Sequence, residues 1–158
     1  MMAAMPDVLG LWKLAGRVPA GHRVFSRAFA LRAPYFGSVR PRFTVIGPNH
    51  VELVIRDRRR VHNHLGTVHA IALCNGLEAA MGALAEASIP LGRRWIPKGM
   101  DVSYTAKAHG DVTCLADTDP AAWTGEDPDL PVRVRGRLAD GTVVIEGVIR
   151  LWVTDRPA

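Results

Sequence analysis

The sequence predicts an α+β domain: an antiparallel sheet of about six strands with one face covered by a single long helix. Three observations carry that expectation. The elements run in the order helix, two strands, one long helix, four strands. The strand segments alternate apolar and polar residues at period two, most plainly in Val132-Arg133-Val134-Arg135-Gly136-Arg137-Leu138, giving one buried and one wet face. The long helical segment is instead apolar on almost every side, through Val68, Ile71, Leu73, Leu77, Met81 and Leu84. A helix hydrophobic all round is buried.

Residues 7–16 predict a short helix with Val8, Leu11, Trp12 and Ala15 on one face and Gly16 near its end. So short a helix packs on the domain rather than standing alone. Residues 27–32 read as a second helical turn before Pro34. Phe43, Val45 and Ile46, the turn Gly47-Pro48-Asn49, and then Val51, Leu53 and Ile55 read as a hairpin. Gly66-Thr67 reads as a helix start with Thr67 as N-cap, and the helix is expected over residues 66–87. After Pro90 the stretch 94–107 is extended, with Met100, Val102, Tyr104 and Ala106 on one face, and residues 112–116 form the next strand. The acidic, Pro-rich residues 117–131, with Trp123 inside, read as a long functional or mobile loop. Asp140-Gly141 signals a type I′ hairpin, and residues 142–154, apolar on both faces, form a central strand. Tyr104 and Trp152 are expected in the core, as are Cys74 and Cys114.

Composition bounds the function. The chain has 158 residues, 48% hydrophobic and 22% charged, which suits one globular domain. A formal net charge of +5 leaves room for anionic partners. The arginines alternate along strands rather than gathering on a helix, so nucleic acid is not the expected partner. Two cysteines without a C-x-x-C motif give no sign of an oxidising compartment. No basic n-region opens the chain, and no window approaches the roughly 20 apolar residues of a membrane span. A cytoplasmic protein is expected. His62, His64 and His69 are joined by no cysteine or carboxylate at ligand spacing, so no metal site is expected.

One residue conflicts with its surroundings. Glu78 lies in the middle of the apolar helix, where burying a carboxylate costs several kcal/mol unless something compensates it. Together with Asn63-x-x-Gly66-Thr67-Val68-His69 upstream and Ala79-Ala80-Met81-Gly82 downstream, it is similar to a motif of hotdog-fold acyl-CoA thioesterases. The resemblance is to the phenylacetate-pathway type, or to an uncharacterised branch close to it. Asn63 to His69 is six positions and His69 to Glu78 is nine, the family's spacing, and the likeness covers residues 39–154. It implies a hotdog domain over residues 39–158, preceded by an N-terminal helical extension over 1–38. It also implies hydrolysis of an acyl-CoA or acyl-carrier thioester with no cofactor, coenzyme A being part of the substrate. The expected assembly is a homodimer, or a homotetramer built as a dimer of dimers, with sites across a two-fold interface. The family usually has His-Gly-Gly where this chain has His69-Ala70-Ile71, and Ile71 narrows the site.

Helix geometry adds a constraint. Nine residues turn an α-helix by about 900° and advance it about 13–14 Å. His69 and Glu78 of one chain therefore face opposite ways, and a shared site takes Glu78 from a second, isologously docked protomer. The expected roles are Glu78 as general base for water, with nucleophile as the alternative, and Asn63 as the group orienting water or carbonyl. Free N–H groups around His69 and Ala70 would form the oxyanion site, with the His69 side chain supporting loop or substrate. Gly66, Ala70, Ile71 and Met100 would line the substrate, beside a wall containing Trp95 and Ile96. Arg60, Arg94 or Lys98 would meet the coenzyme A phosphates. The alternatives are a non-catalytic acyl-CoA or lipid-binding protein and a hydratase or dehydratase on the same fold.

Overall fold

The computed structural model describes residues 7–156; residues 1–6 and 157–158, at the outer ends of the two expected stretches, lie outside that description. The described helices are α1 (Val8–Ala15), α2 (Gly21–Arg32) and α3 (Ala70–Ser88). The strands are β1 (Arg42–Gly47), β2 (His50–Ile55), β3 (Arg93–Tyr104), β4 (Val112–Asp117), β5 (Asp129–Arg137) and β6 (Val143–Asp155). They form one antiparallel sheet in the order β1-β2-β4-β5-β6-β3, with α3 packed against it. This is the hotdog fold.

Local chemistry explains most of the elements. At the β1–β2 turn Asn49 takes a positive φ of 62°, a conformation its short polar side chain tolerates. The β5–β6 turn falls where the sequence places it but is not the expected type I′, since Asp140 is not at positive φ. Ala139 and Asp140 are its central residues, and Gly141, at φ 90°, follows them and donates to the Leu138 carbonyl at 3.0 Å. In β5 Leu130, Val132 and Val134 are buried while Arg133, Arg135 and Arg137 are exposed. Strand β6 pairs with β5 on one side and β3 on the other, as a strand apolar on both faces should. Strand β3 has β6 as its only partner among the described residues. Its Pro97 sits beside a register shift between Pro97 and Gly99, and an edge or a bulge is where a sheet tolerates proline.

Helix α3 buries Leu73, Leu77, Ala80, Met81 and Leu84 against the sheet. Contrary to the sequence expectation, α3 is long and apolar enough to cross a membrane, but most of it is buried inside the protein, as in a core helix. Gly76 makes the close approach possible. A Cβ there would lie 2.2 Å from Ile55 Cδ1 and 2.9 Å from Cys114 Sγ.

The structure corrects several boundaries. Helix α3 begins at Ala70 with His69 as N-cap, so the cap lies two residues later than the expected Thr67. Thr67 does not cap because Asn63 takes it: Asn63 Nδ2 donates to Thr67 Oγ1 at 2.9 Å, and Thr67 N–H donates to Asn63 Oδ1. Helix α2 has twelve residues rather than a single turn. The stretch 117–131 is no open loop. A 3-10 turn at Pro120–Trp123 drives Trp123 into the core, where its Nε1 donates to Asn49 Oδ1 at 2.8 Å. Tyr104 and Trp152 are 55% and 37% exposed, because they lie on the pair β3–β6 at the open side of the sheet. The N-terminal helices share the sheet's core, Phe29 meeting Phe43 edge-on at 4.8 Å between ring centres.

Gly76→Ala tests the helix–sheet contact. Overpacking costs about 1–3 kcal/mol, against a helix-propensity gain of about 1 kcal/mol. Net destabilisation is expected as a lower urea midpoint with unchanged slope.

Candidate active site

The approach to α3 is a hydrogen-bonded turn built by Asn63. Its Oδ1 accepts the N–H groups of Leu65 at 2.9 Å and Thr67 at 3.2 Å. With Nδ2 on Thr67, the carboxamide holds the turn and keeps one amide hydrogen uncommitted. The chain then returns as His69 N–H donates to the Val61 carbonyl at 2.7 Å. That commits one N–H of the expected oxyanion group.

At the helix start the His69 imidazole does the capping. Its Nδ1 accepts from Ile71 N–H at 3.0 Å, so the neutral ring carries its proton on Nε2. Of the first-turn donors, those of Ala70 and Ala72 meet no acceptor among the described residues, and they point out of the positive end of the helix. Gly66 and His69 are exposed, and Ile71 is 54% exposed. A cleft of about 260 Å³ here is lined by Tyr35, Arg60, His62, His69, Ile71 and Asn75.

Helix α3 is therefore not apolar and covered all round. Ile71, Cys74 and Glu78 form a stripe, at positions three and four apart, that the sheet leaves open; Cys74 and Glu78 are half-buried. Cys74 Sγ lies 3.5 Å from the Tyr104 hydroxyl, which places the end of β3 beside the stripe. Cys114, by contrast, is fully buried, and burial pushes its thiol up to about 12. Glu78 reaches solvent and has no hydrogen-bond or ion-pair partner among the described residues. It lies at a largely apolar cleft of about 380 Å³ lined by Phe29, Phe36, Met81, Trp95 and Pro97, with Arg32 as its cation. At the other end Glu86 accepts from Trp95 Nε1 at 2.9 Å, and burial raises its carboxyl above the usual range.

The two clefts share no residue. Within one protomer the structure thus brings His69, Ala70, Ile71 and Arg60 to one end of α3 and leaves Glu78 in a separate cleft. Met100 is half-buried on β3, Trp95 enters the Glu78 cleft, and Ile96, 59% exposed, points away. Arg94 donates to Thr154 Oγ1 at 3.2 Å. Lys98 is engaged by Asp129 at 3.4 Å and lies 4.5 Å from the Trp152 ring centre. Among the described residues no three His, Cys, Asp or Glu side chains group as metal ligands.

One pair escaped the sequence reading. Asp57 hydrogen-bonds His62 Nε2, and its other oxygen accepts Gly110 N–H at 2.8 Å. The His62 hydrogen bond is the main reason the Asp57 carboxyl sits below its usual range. A carboxylate thus orients an imidazole that lines the cleft at the start of α3. The five-residue spacing of Asp57 and His62 was visible, but it matches no regular periodicity, because the 3-10 turn Arg59–Val61 makes the contact.

Comparison with known proteins follows from this architecture. The family model described as Domain of unknown function (DUF4442) matches residues 21–153. A structural-genomics protein, APC5556, is 40% identical with TM-score 0.81, over 95% of this chain and 99% of the other. PA5026 from Pseudomonas aeruginosa, called a "probable thioesterase", is 22% identical with TM-score 0.74, over 88% and 97% of the two chains. A thioesterase family protein from Silicibacter pomeroyi is 16% identical with TM-score 0.68, over 83% and 96%. The last two likenesses are likenesses of fold. No functionally curated protein matches the chain.

The Asp57–His62 pair makes a pH-dependent prediction. A carboxyl held low in the folded state contributes stability above its unfolded pKa of about 3.9, lost as pH falls through the lower folded value. Asp57→Asn is expected to destabilise by about 1–2 kcal/mol near neutrality. Urea unfolding at stepped pH should show the gap to wild type closing below about pH 4.

Proposed function

The chain belongs to the DUF4442 family, and from that premise we propose that it is a thioester hydrolase acting on an acyl-CoA or acyl-carrier thioester. One observation carries the reading. A half-buried carboxylate, Glu78, with no partner among the described residues, stands at a largely apolar cleft on the open stripe of the central helix, nine residues after His69. Solved structures called thioesterases share the fold, which supports the reading without identifying a substrate.

The site is completed by a second protomer. Strand β3 offers twelve residues of edge, and unpaired edge N–H and C=O groups are a template for another strand. The exposed apolar side chains of Ile71, Ile96 and Tyr104 lie along or beside that edge. An isologous dimer through β3 brings Glu78 of the partner subunit to the start of α3. The partner's Glu78 takes a proton from water, and the hydroxide adds to the thioester carbonyl carbon. The oxyanion is held by the N–H groups of Ala70 and Ala72, with His69 Nε2–H on the same side. Collapse breaks the C–S bond, the thiolate takes a proton, and a carboxylic acid and a thiol leave. Asn63 acts as a positioning residue, fixing the turn that aims His69. Arg60, in the cleft with His69, is the cation placed to meet a coenzyme A phosphate. The two free cysteines fit a reducing, cytoplasmic setting.

A second reading has one observation of its own. A hydratase or dehydratase needs an imidazole oriented by a carboxylate, and His62 with Asp57 is such a pair.

A thiol-release assay over short, long and aromatic acyl-CoAs decides. Glu78→Ala is expected to lower kcat by at least about a hundredfold while leaving the fold intact, since Glu78 makes no hydrogen bond or ion pair among the described residues. Hydration releases no thiol, so it is read beside the assay as loss of the enoyl-CoA absorbance; if His62→Ala abolishes that change and Glu78→Ala does not, the second reading wins. Stabilisation by coenzyme A esters without turnover would make the protein a binding module.

The dimer has its own test. A proline replacing Val102 on β3 removes an edge N–H. Loss of dimer in sedimentation and loss of turnover together are expected; activity retained by a monomer would sink the shared site.

A further inference from the structure

Glu78, Gly82 and Glu86 stand four and eight positions apart, one above the other along α3. The middle one has no side chain. A Cβ at Gly82 would touch only Trp95 Cη2, at an ordinary 3.7 Å, so the space above it is open, unlike that above Gly76. Helix-interior glycine is disfavoured, and here its missing side chain is what makes a channel along the helix. Phe29 and Phe36, from α2 and the 3-10 turn Pro34–Ser38, roof that channel, and Trp95 and Pro97 of β3 wall it. The N-terminal helices thereby become part of the site.

We propose that this channel takes the acyl group of the substrate, a straight apolar chain of medium length, with its carbonyl at Glu78 and its far end stopped at Glu86; the inference rests on the thioester hydrolase reading. Chemistry separates the acyl group from the rest of the substrate. Apart from Glu78, Glu86 and the Arg32 guanidinium, whose charge acts on Glu86, the lining is aromatic and aliphatic, which suits an acyl group rather than the nucleotide end of coenzyme A. Length sets the class. Eight residues of helix advance about 12 Å. Carbon–carbon bonds of about 1.5 Å, zigzagging, advance about 1.3 Å each, so the channel spans roughly eight to ten carbons. Its volume, about 380 Å³, lies at the small end of ligand pockets. A longer chain would have to push methylenes onto the Glu86–Trp95 hydrogen bond, and stripping a carboxylate of its partner in a half-buried place is costly.

The test varies chain length against Gly82→Met, whose side chain fills the channel. The kcat/KM of wild type is expected to peak at octanoyl- to decanoyl-CoA, and the octanoyl-to-butanoyl ratio to fall at least tenfold in Gly82→Met. Glu86→Leu should move the peak toward dodecanoyl-CoA. A ratio unchanged in Gly82→Met, in a variant whose melting shows it folded, overturns the proposal. Binding is read separately with octyl-, butyl- and hexadecyl-CoA thioethers, which cannot be hydrolysed. Octyl-CoA should raise the Tm of wild type more than the other two, and Gly82→Met should lose that preference. Equal shifts for octyl and hexadecyl, or a preference kept by Gly82→Met, also overturn it. A wild type that shows the octyl preference but hydrolyses nothing keeps the acyl channel and removes only the hydrolase reading.

Discussion

Everything in this protein depends on how closely α3 can lie against the sheet. Gly76 has no Cβ to hold Ile55 and Cys114 away, so the helix sinks between β2 and β4 with Leu73, Leu77 and Leu84 beneath it. Burial on that scale is the main source of stability, since each large apolar side chain contributes about 1.5–3 kcal/mol when fully covered. A sheet can cover a helix on only part of its circumference. What remains is the stripe of Ile71, Cys74, Glu78 and Gly82, and the stripe is where polar chemistry can be kept on an otherwise apolar helix. Glu78 is tolerable in α3 because water reaches it.

The N-terminal helices then divide the stripe. Phe25, Phe29, Phe36 and Phe43 stack and abut in a continuous aromatic run that fixes α2 and the 3-10 turn after it over the C-terminal half of α3. Asn75 pins the same turn, its Nδ2 donating to Ser38 Oγ at 2.8 Å and to the Tyr35 carbonyl. The roofed half becomes an apolar cleft, and the half near His69 stays open. Thus a segment that reads as an extension outside the sheet-and-helix unit supplies the roof over its most carefully shaped surface.

The readable parts of the sequence were those fixed by neighbours in the chain. Alternation in β5, the turns at Asn49 and Gly141, and the length of β6 each follow from local propensity, and the strand and helix order followed from them. What escaped depended on competition between side chains or on position in the sheet. Thr67 looks like a cap until Asn63 claims it. Trp123 looks like a loop residue until Asn49 offers its Nε1 an acceptor. Tyr104 alternates like a core residue but lies on an edge. Glu78 was legible as an anomaly and His69 as its companion in spacing, whereas His62 was not, because its significance comes from Asp57 across a 3-10 turn.

The charge along the open face argues for how two copies would meet. Near His69 the face is positive: N–H groups at the start of α3 that meet no acceptor among the described residues, and Arg60 in the same cleft. Toward the other end it carries the carboxylates of Glu78 and Glu86 against the single cation of Arg32 in the same cleft. Two such faces laid parallel would set carboxylate against carboxylate and helix start against helix start, and like charges brought together oppose docking. Laid antiparallel, each positive end meets the acidic end of the other copy. That is the relation a two-fold axis imposes, and β3, antiparallel to its own two-fold mate, is the edge that can impose it. In the proposed dimer the separation of Glu78 from the start of α3 within one chain would make the surface self-complementary, so the distance between the two halves of the proposed site would also select the geometry that joins them.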